Sequence, residues 1–175
     1  MNRLKLKTVL TLLLIIIVIG GCENLLNFTF ESDYSTVDFI VNPDEAGKYV
    51  ESYTALQANL DSIIEQEGYS AADLESVKLH EATVEVTGQS GNFDCVESIE
   101  IKIKAQDLDE ITLASKDIVP DGLTFATLNL YKGELKEYLQ ASEYTVTLSL
   151  LLDQDLTEPM TIHAKLKYKI TVGTL

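Results

Sequence analysis

The sequence predicts a mainly β fold of the α+β kind: an antiparallel β-sandwich of about seven strands with one long amphipathic helix packed on it. Apolar and polar residues alternate with a period of two in several segments, as in strands that bury one face. One stretch instead has apolar residues at spacings of three and four, which is typical of a half-buried helix. Turn-forming residues separate these segments at short intervals, so we expect short loops.

The first half of the chain contains the predicted helix. A strand is predicted from Phe28 to Val41, and Asn42-Pro43-Asp44-Glu45 then has the N-cap, the first-turn proline and the acids of a helix start. We expect the helix to end at Gly68, and Ser70 to Asp73 have capping-box spacing that predicts a further helical turn. The apolar stripe of the helix consists of Val50, Tyr53, Leu56, Leu60, Ile63 and Ile64.

The second half is predicted to be almost entirely strand. The apolar parity changes from odd at Val77 and Leu79 to even at Ala82, which predicts a β-bulge near His80–Glu81. The remaining elements are strands around 99–103, 111–114, 123–130, 144–152 and 162–172, a turn at Pro120-Asp121-Gly122 and a short helical crossover over 134–140.

Length and composition are those of one folded domain that does not bind nucleic acid. The chain has 175 residues and 46% hydrophobic content, which excludes wholesale disorder. Its formal net charge is −15, whereas nucleic-acid phosphates require clustered Lys and Arg. No internal repeat or second domain boundary is visible in the sequence.

The first residues have the profile of a secretory signal peptide. A basic head (residues 1–7) precedes an apolar run (residues 8–19), which is shorter than the roughly 20 residues of a membrane-spanning helix. The run ends in Ile19-Gly20-Gly21-Cys22. This ending resembles the lipobox of bacterial lipoproteins, in which an aliphatic residue and two small residues precede an acylated cysteine.

This resemblance implies lipidation at Cys22, with cleavage before it and acylation of its sulfur and freed amine. Residues 1–21 are then a signal peptide, 22–27 a lipidated cysteine with a short tether, and 28–175 the folded domain with a helical insertion near 43–76. Because each buried methylene contributes about 0.8 kcal/mol, several acyl chains anchor stably. Cleavage removes three cations and no acids, so the mature chain is more acidic.

The residues after Cys22 indicate which membrane face the domain occupies. Glu23 follows the cysteine, but the run of acids that directs surface export in some Gram-negative groups is absent. The strand pattern that begins at Phe28 leaves only a short tether. We therefore expect an outer-membrane lipoprotein of a Gram-negative cell envelope that faces the periplasm.

Two further resemblances concern the body of the chain. Residues 39–44 resemble the strand and Asn-Pro-Asn turn of late-embryogenesis, water-stress β-sandwiches, although Asp44 replaces the last Asn and a predicted helix follows. The layout also resembles small uncharacterised β-sandwich lipoproteins of Gram-negative envelopes. Asp61-Ser62-Ile63 resembles an O-glycosylation sequon of one Gram-negative phylum, which implies a glycan on Ser62.

Few residues carry catalytic or metal-binding chemistry. His80 and His163 have no partners at the spacing of a zinc site, and neither a Gly-x-Ser-x-Gly elbow nor a glycine-rich phosphate loop occurs. Cys95 is the only thiol besides Cys22, so we expect it to be buried, unreactive and free of an internal disulfide. A calcium site stays open as an alternative, with its ligands in the acid clusters Asp107/Asp109/Glu110 or Asp153/Asp155/Glu158.

We therefore predict no catalytic, metal or cofactor-binding residues and no cofactor. The expected function is a non-enzymatic binding or scaffolding role for a protein held on the membrane by its lipid anchor, with the ligand unidentified. Two alternatives stay open: a carrier of small apolar ligands or lipids beneath the helix, and a hydrolase or carbohydrate-active accessory protein.

Overall fold

Two five-stranded antiparallel sheets form a sandwich in the computed structural model, which describes residues 27–57, 59–87 and 91–173. The first sheet contains β1 (Asn27–Glu31), β2 (Ser35–Val41), β4 (Leu74–Thr87), β7 (Phe125–Thr127) and β10 (Met160–Gly173). The second sheet contains β3 (Tyr49–Gln57), β5 (Val96–Ala105), β6 (Ile111–Lys116), β8 (Asn129–Leu130) and β9 (Glu143–Leu152). The helical segments are α1 (Leu60–Gln66), a single 3-10 turn (Ala71–Asp73) and α2 (Lys136–Gln140).

Each sheet is organised around one long central strand. In the first sheet, β10 pairs with β4 on one side and with β1 and then β2 on the other, while β7 extends the sheet beyond β4. In the second sheet, β9 lies between β3 and β5, and β6 and β8 follow β5. The even-numbered residues of β10 from Met160 to Val172 are buried between the sheets, which confirms the alternation predicted from the sequence.

The predicted bulge near His80–Glu81 is confirmed. Lys167 of β10 pairs with Glu81, whereas the next residue, Tyr168, pairs with Leu79, so His80 is the extra residue of β4. The bulge reverses the parity of β4, so that residues on both sides of it face the core. Beside the bulge, the hydroxyl of the buried Ser32 accepts a hydrogen bond from Tyr168 N at 3.0 Å.

The predicted long amphipathic helix is wrong. Tyr49–Gln57 form β3, which pairs with β9 along its whole length, and only Leu60–Gln66 are α-helical in this region. Gly47, with φ of +78°, lies in a turn before β3 instead of inside a helix. Val50 and Leu56 are half-buried because they share the inner parity of a strand, whereas Tyr53 is 62% exposed. The apolar stripe thus combined residues of two different elements.

The other predicted elements between the sheets need smaller corrections. The capping box is confirmed, since Asp73 accepts from Ser70 N and Ser70 Oγ accepts from Ala72 N. The predicted strand over 123–130 is divided into β7 and β8, which belong to different sheets because the chain crosses between them at the buried Leu128. In the described part of the chain, no helix has the length and apolar content to cross a membrane.

Glu134 attaches α2 to the first sheet. Its carboxylate accepts hydrogen bonds from Ser76 Oγ at 2.6 Å, Val77 N at 2.7 Å, and the N–H groups of Leu135 and Lys136 at 3.1 Å. Partial burial raises the pKa of Glu134, but these hydrogen bonds outweigh burial, so the pKa is lowered overall. Glu134 therefore holds the first turn of α2 against β4.

We expect Glu134→Gln to lower the free energy of unfolding near pH 7 by about 1–2 kcal/mol, because hydrogen bonds to a charged acceptor are the stronger ones and the group is partly screened by solvent. Since the folded-state pKa is lowered, this stabilisation is complete above the ordinary carboxyl pKa of 4.5 and is lost as the pH falls through the lower folded value. Denaturant unfolding near pH 7 and near pH 3 measures the difference.

The matched control for this experiment is Glu137→Gln. Glu137 is exposed on the same helix and accepts no hydrogen bond among the described residues, so this change should have little effect. If Glu134→Gln lowered the free energy of unfolding by the same amount at both pH values, the assignment of a charged, hydrogen-bonded carboxylate would be contradicted.

Candidate functional site

A cleft of about 310 Å3 opens between the sheets at the end of the sandwich where α1 and α2 lie. This volume is at the lower end of the range of about 300–1,000 Å3 that is usual for small-molecule sites. Residues 31–35, which connect β1 to β2, form one side, and residues 59–67 with α1 form the other. The cleft thus lies between the two sheets and beside both helices.

Two tyrosines from different sheets reach the inner part of the cleft. Tyr144 begins the inner face of β9 and is 5% exposed, while Tyr168 of β10 lies beside the bulge and is 6% exposed. Burial raises the pKa of Tyr144. Burial also raises the pKa of Tyr168, and the neighbouring Tyr144 adds to this shift. Both phenols therefore stay protonated at neutral pH and each can donate a hydrogen bond.

Neither phenol has a hydrogen-bond partner among the described residues. The shifted pKa values of Tyr144 and Tyr168 have no hydrogen-bond contribution. In the same part of the chain, no fully buried side-chain N or O atom lacks a partner. The cleft is the space that both side chains line. Two tyrosines whose hydroxyls bond to no described residue therefore line this space.

The walls of the cleft are apolar and its rim is acidic. Aliphatic side chains from α1, α2 and β10 form the walls: Leu60, Ile63, Leu139 and Ile170. Carboxylates occupy the rim at Glu31, Asp33 and Glu67, and among the described residues no Lys, Arg or His lines the cleft. The neutral polar residues of the lining are Ser32, Tyr34, Ser35, Asn59, Ser62 and Gln66, of which Ser32 is buried.

Glu31 differs from the other rim acids because it is already paired. Its carboxylate lies 2.6 Å from Lys167 Nζ and 3.0 Å from His80 Nε2. The hydrogen bond from Lys167 is the largest cause that lowers the pKa of Glu31. Lys167 also lies 5.6 Å from the ring centroid of Tyr34. Asp33 and Glu67 form no ion pair in the described part of the chain.

α1 is packed against the sandwich by its own buried residues and by an aromatic contact just after the helix. Leu60 is 4% exposed and Ile64 is fully buried, so the helix contributes to the core. Just after the helix, the ring of Tyr69 stacks on Phe30 of β1 with centroids 6.0 Å apart. These contacts describe a packed structural helix, so the cleft has a preformed wall.

The structure places Ser62, the predicted glycosylation site, at the rim of this cleft. Ser62 is exposed in the first turns of α1 and lines the mouth. Cys22, the predicted lipidation site, lies outside the described residues. The two phenols were not among the residues selected from the sequence. Their signal was a tyrosine on an otherwise aliphatic inner strand face, since a buried phenol normally requires a partner for its hydroxyl.

The two histidines lie on the outer face of the first sheet. His163 Nδ1 lies 2.5 Å from Asp38 Oδ1, and its Nε2 lies 2.9 Å from Thr87 Oγ1. This order of hydroxyl, imidazole and carboxylate is the order that nucleophilic catalysis uses. However, β10 is hydrogen-bonded to a neighbour on both sides at His163, so its backbone supplies no free N–H group to stabilise an oxyanion.

The predicted acid clusters are dispersed over surface turns. Asp155 Oδ1 accepts a hydrogen bond from Ala46 N at 2.9 Å, which joins two loops. Asp107 is in a turn with φ of +60°. Across residues 27–57, 59–87 and 91–173, no three His, Cys, Asp or Glu side chains are grouped as metal ligands.

No protein-family model and no curated protein matches the chain. Among solved structures, a decameric BFDV capsid protein is 10% identical, with 84% of this chain and 99% of that chain covered and a TM-score of 0.38. The protein FLHE is 12% identical, with 83% and 96% covered and a TM-score of 0.32. A carbohydrate-binding module of the β-sandwich superfamily is 12% identical, with 83% and 56% covered and a TM-score of 0.34. These similarities carry no argument about function.

Cys95 is half-buried, which is less than the sequence predicted. Burial raises the pKa of its thiol, and the carboxylates of Asp153 and Asp94 raise it further.

Because the thiolate is the nucleophile, we expect Cys95 in folded Cys22→Ser protein to react slowly with a disulfide reagent near pH 7, and faster as the pH rises. The same chain unfolded in guanidinium is the control. Rapid stoichiometric labelling of the folded protein near pH 7 would show an activated thiol instead.

Proposed function

We propose that this protein is a lipid-anchored protein of a Gram-negative cell envelope, held on the outer membrane facing the periplasm, that binds a small molecule in the cleft without transforming it. The single observation that carries this proposal is the pair of nearly buried tyrosines, Tyr144 and Tyr168, which line the cleft and whose hydroxyls have no partner in the described residues.

Energetics favour an occupant for this cleft. Because the hydroxyls of Tyr144 and Tyr168 bond to no described residue, an acceptor on a ligand can take a hydrogen bond from them, which contributes about 0.5–1.5 kcal/mol net. Leu60, Ile63, Leu139 and Ile170 add apolar surface that a ligand can cover. Because α1 and α2 are already fixed, binding requires little ordering of the protein.

The size of the cleft restricts the carrier alternative. A space of about 310 Å3 suits one ring or one short chain and is small for a diacyl lipid. The ligand that we propose is therefore a small molecule with a compact apolar body. The membrane contact of the protein is assigned to its anchor at Cys22, and the cleft is assigned to the ligand.

A hydrolase is the second candidate, and the chain Thr87–His163–Asp38 is the observation that favours it. This chain lies on an open sheet face, whereas enclosed space is found at the cleft on the other side of the same sheet. Binding in the cleft is therefore the better supported function. The two are distinguished by whether a bound molecule is recovered chemically unchanged.

The anchor is tested by Cys22→Ser. We expect the wild-type chain to incorporate a labelled fatty acid and to have the mass of a protein that begins at a triacylated Cys22. The variant should keep residues 1–21 and incorporate no label, because the sulfur that accepts the diacylglyceryl group is missing. Cys95→Ser is the matched control and should be labelled like the wild type. Continued labelling of Cys22→Ser would contradict the anchor.

The cleft is tested with a neutral probe, 4-methoxybenzyl alcohol, titrated into full-length protein in lipid nanodiscs, with empty nanodiscs as the blank. We expect saturable binding with a Kd of about 1 mM or tighter, and recovery of the probe unchanged. Ser62→Trp places a large ring at the mouth and should abolish binding. Glu65→Trp, on an exposed part of α1 away from the cleft, should preserve it. Equal binding by both variants would place the probe elsewhere.

A further inference from the structure

We infer that the cleft selects small amphiphiles whose groups follow one order: a hydrogen-bond acceptor at the inner end, an apolar body, and a cationic amine at the outer end. This inference rests on the proposed binding function and assigns the ligand class for that site. It follows from the opposite chemistry of the two ends of the cleft.

The inner end supplies hydrogen-bond donors. Tyr144 and Tyr168 keep their protons because burial disfavours the phenolate, and neither proton is used by another described residue. An ether, carbonyl or hydroxyl oxygen that enters between the walls can accept from them. An apolar group at the same place leaves the phenols without a partner, so the cleft distinguishes the two.

The outer end adds negative charge to the neutral hydroxyl and amide groups of the rim. Asp33 and Glu67 have no ion-pair partner in the described residues, while Lys167 is bound to Glu31 at 2.6 Å. A primary ammonium group has three donors and a positive charge, which matches two carboxylates. A carboxylate or phosphate at this rim meets like charges with no lining cation to neutralise it.

The direction of the ligand is determined by the walls between these ends. Leu60 and Ile63 from α1 and Ile170 from β10 present aliphatic surface and no polar group. A ligand inserted in the reverse sense would place its ammonium group among aliphatic carbons and two neutral phenols, which compensate desolvation of the charge less well than the rim carboxylates do. The orientation with the ammonium group at the rim is therefore favoured.

The experiment uses four probes of nearly the same shape: 4-methoxybenzylamine, 4-ethylbenzylamine, 4-methoxybenzyl alcohol and 4-methoxybenzoate. Each is titrated calorimetrically into full-length protein in nanodiscs of neutral lipid, with empty nanodiscs subtracted. We expect 4-methoxybenzylamine to bind best, 4-ethylbenzylamine about 3- to 10-fold more weakly because it lacks the inner acceptor, and the benzoate not measurably. The alcohol should be intermediate.

Matched variants assign each preference to its residues. Tyr168→Phe and Tyr144→Phe should each reduce the preference for methoxy over ethyl, and the pair together should abolish it. Neither should lower the melting temperature of the free protein, because these hydroxyls stabilise nothing in the described structure. Asp33→Asn with Glu67→Gln should remove the preference for amine over alcohol. Asp61→Asn, which neutralises an acid of α1 outside the lining, is the control.

The outcomes separate the two proposals. If none of the four probes binds, the proposed binding function fails. If the benzoate binds as well as the amine, or if ethyl and methoxy are equivalent, the cleft binds small molecules but the inferred ligand class is overturned. If preferences remain in the Tyr→Phe and carboxamide variants, the assignment to these residues is overturned.

Discussion

The structure depends on the register of β10 with its neighbours. This strand pairs with β4 on one side and with β1 and β2 on the other, so a slip by one residue would turn its buried aliphatic side chains toward solvent. Because of the bulge at His80, β4 stays paired with β10 on both sides of the point where the buried residues of β4 change from odd to even numbers. Since Tyr168 is at that bulge and Ser32 holds its backbone, the same register also determines where the cleft forms.

The outer face of the first sheet carries paired charged side chains, whereas its inner face carries neutral ones. On the outer face, cross-strand partners pair charges, as in Lys165 with Glu85 at 3.1 Å and Lys167 with Glu31 at 2.6 Å. Such exposed pairs contribute little stability individually. On the inner face, the phenol of Tyr168 is a polar group within an aliphatic row. The acids of the cleft rim lie where the inner face meets solvent, so ligand selection by charge is confined to the mouth.

Local patterns predicted the elements in which one period dominates. The alternation in β5, β9 and β10 and the parity change before Ala82 are properties of consecutive residues, and all are confirmed. Residues 49–57 were misassigned because the apolar spacings over residues 49–64 fit one helix as well as a strand followed by a short helix, and only pairing with β9 distinguishes the two. The cleft was not predictable, because Tyr144 and Tyr168 come from different sheets and no local pattern brings them together.

The short segment before β1 has a consequence for where the cleft operates. Glu31 at the rim lies nine residues after Cys22, a separation that spans at most about 30 Å even when fully extended. An acylated Cys22 would therefore keep the mouth of the cleft within reach of the lipid headgroups. Anionic headgroups create a negative surface potential that enriches cations in the adjacent water. A domain tethered this closely would sample amines at their interfacial concentration, which exceeds their concentration in the bulk solution.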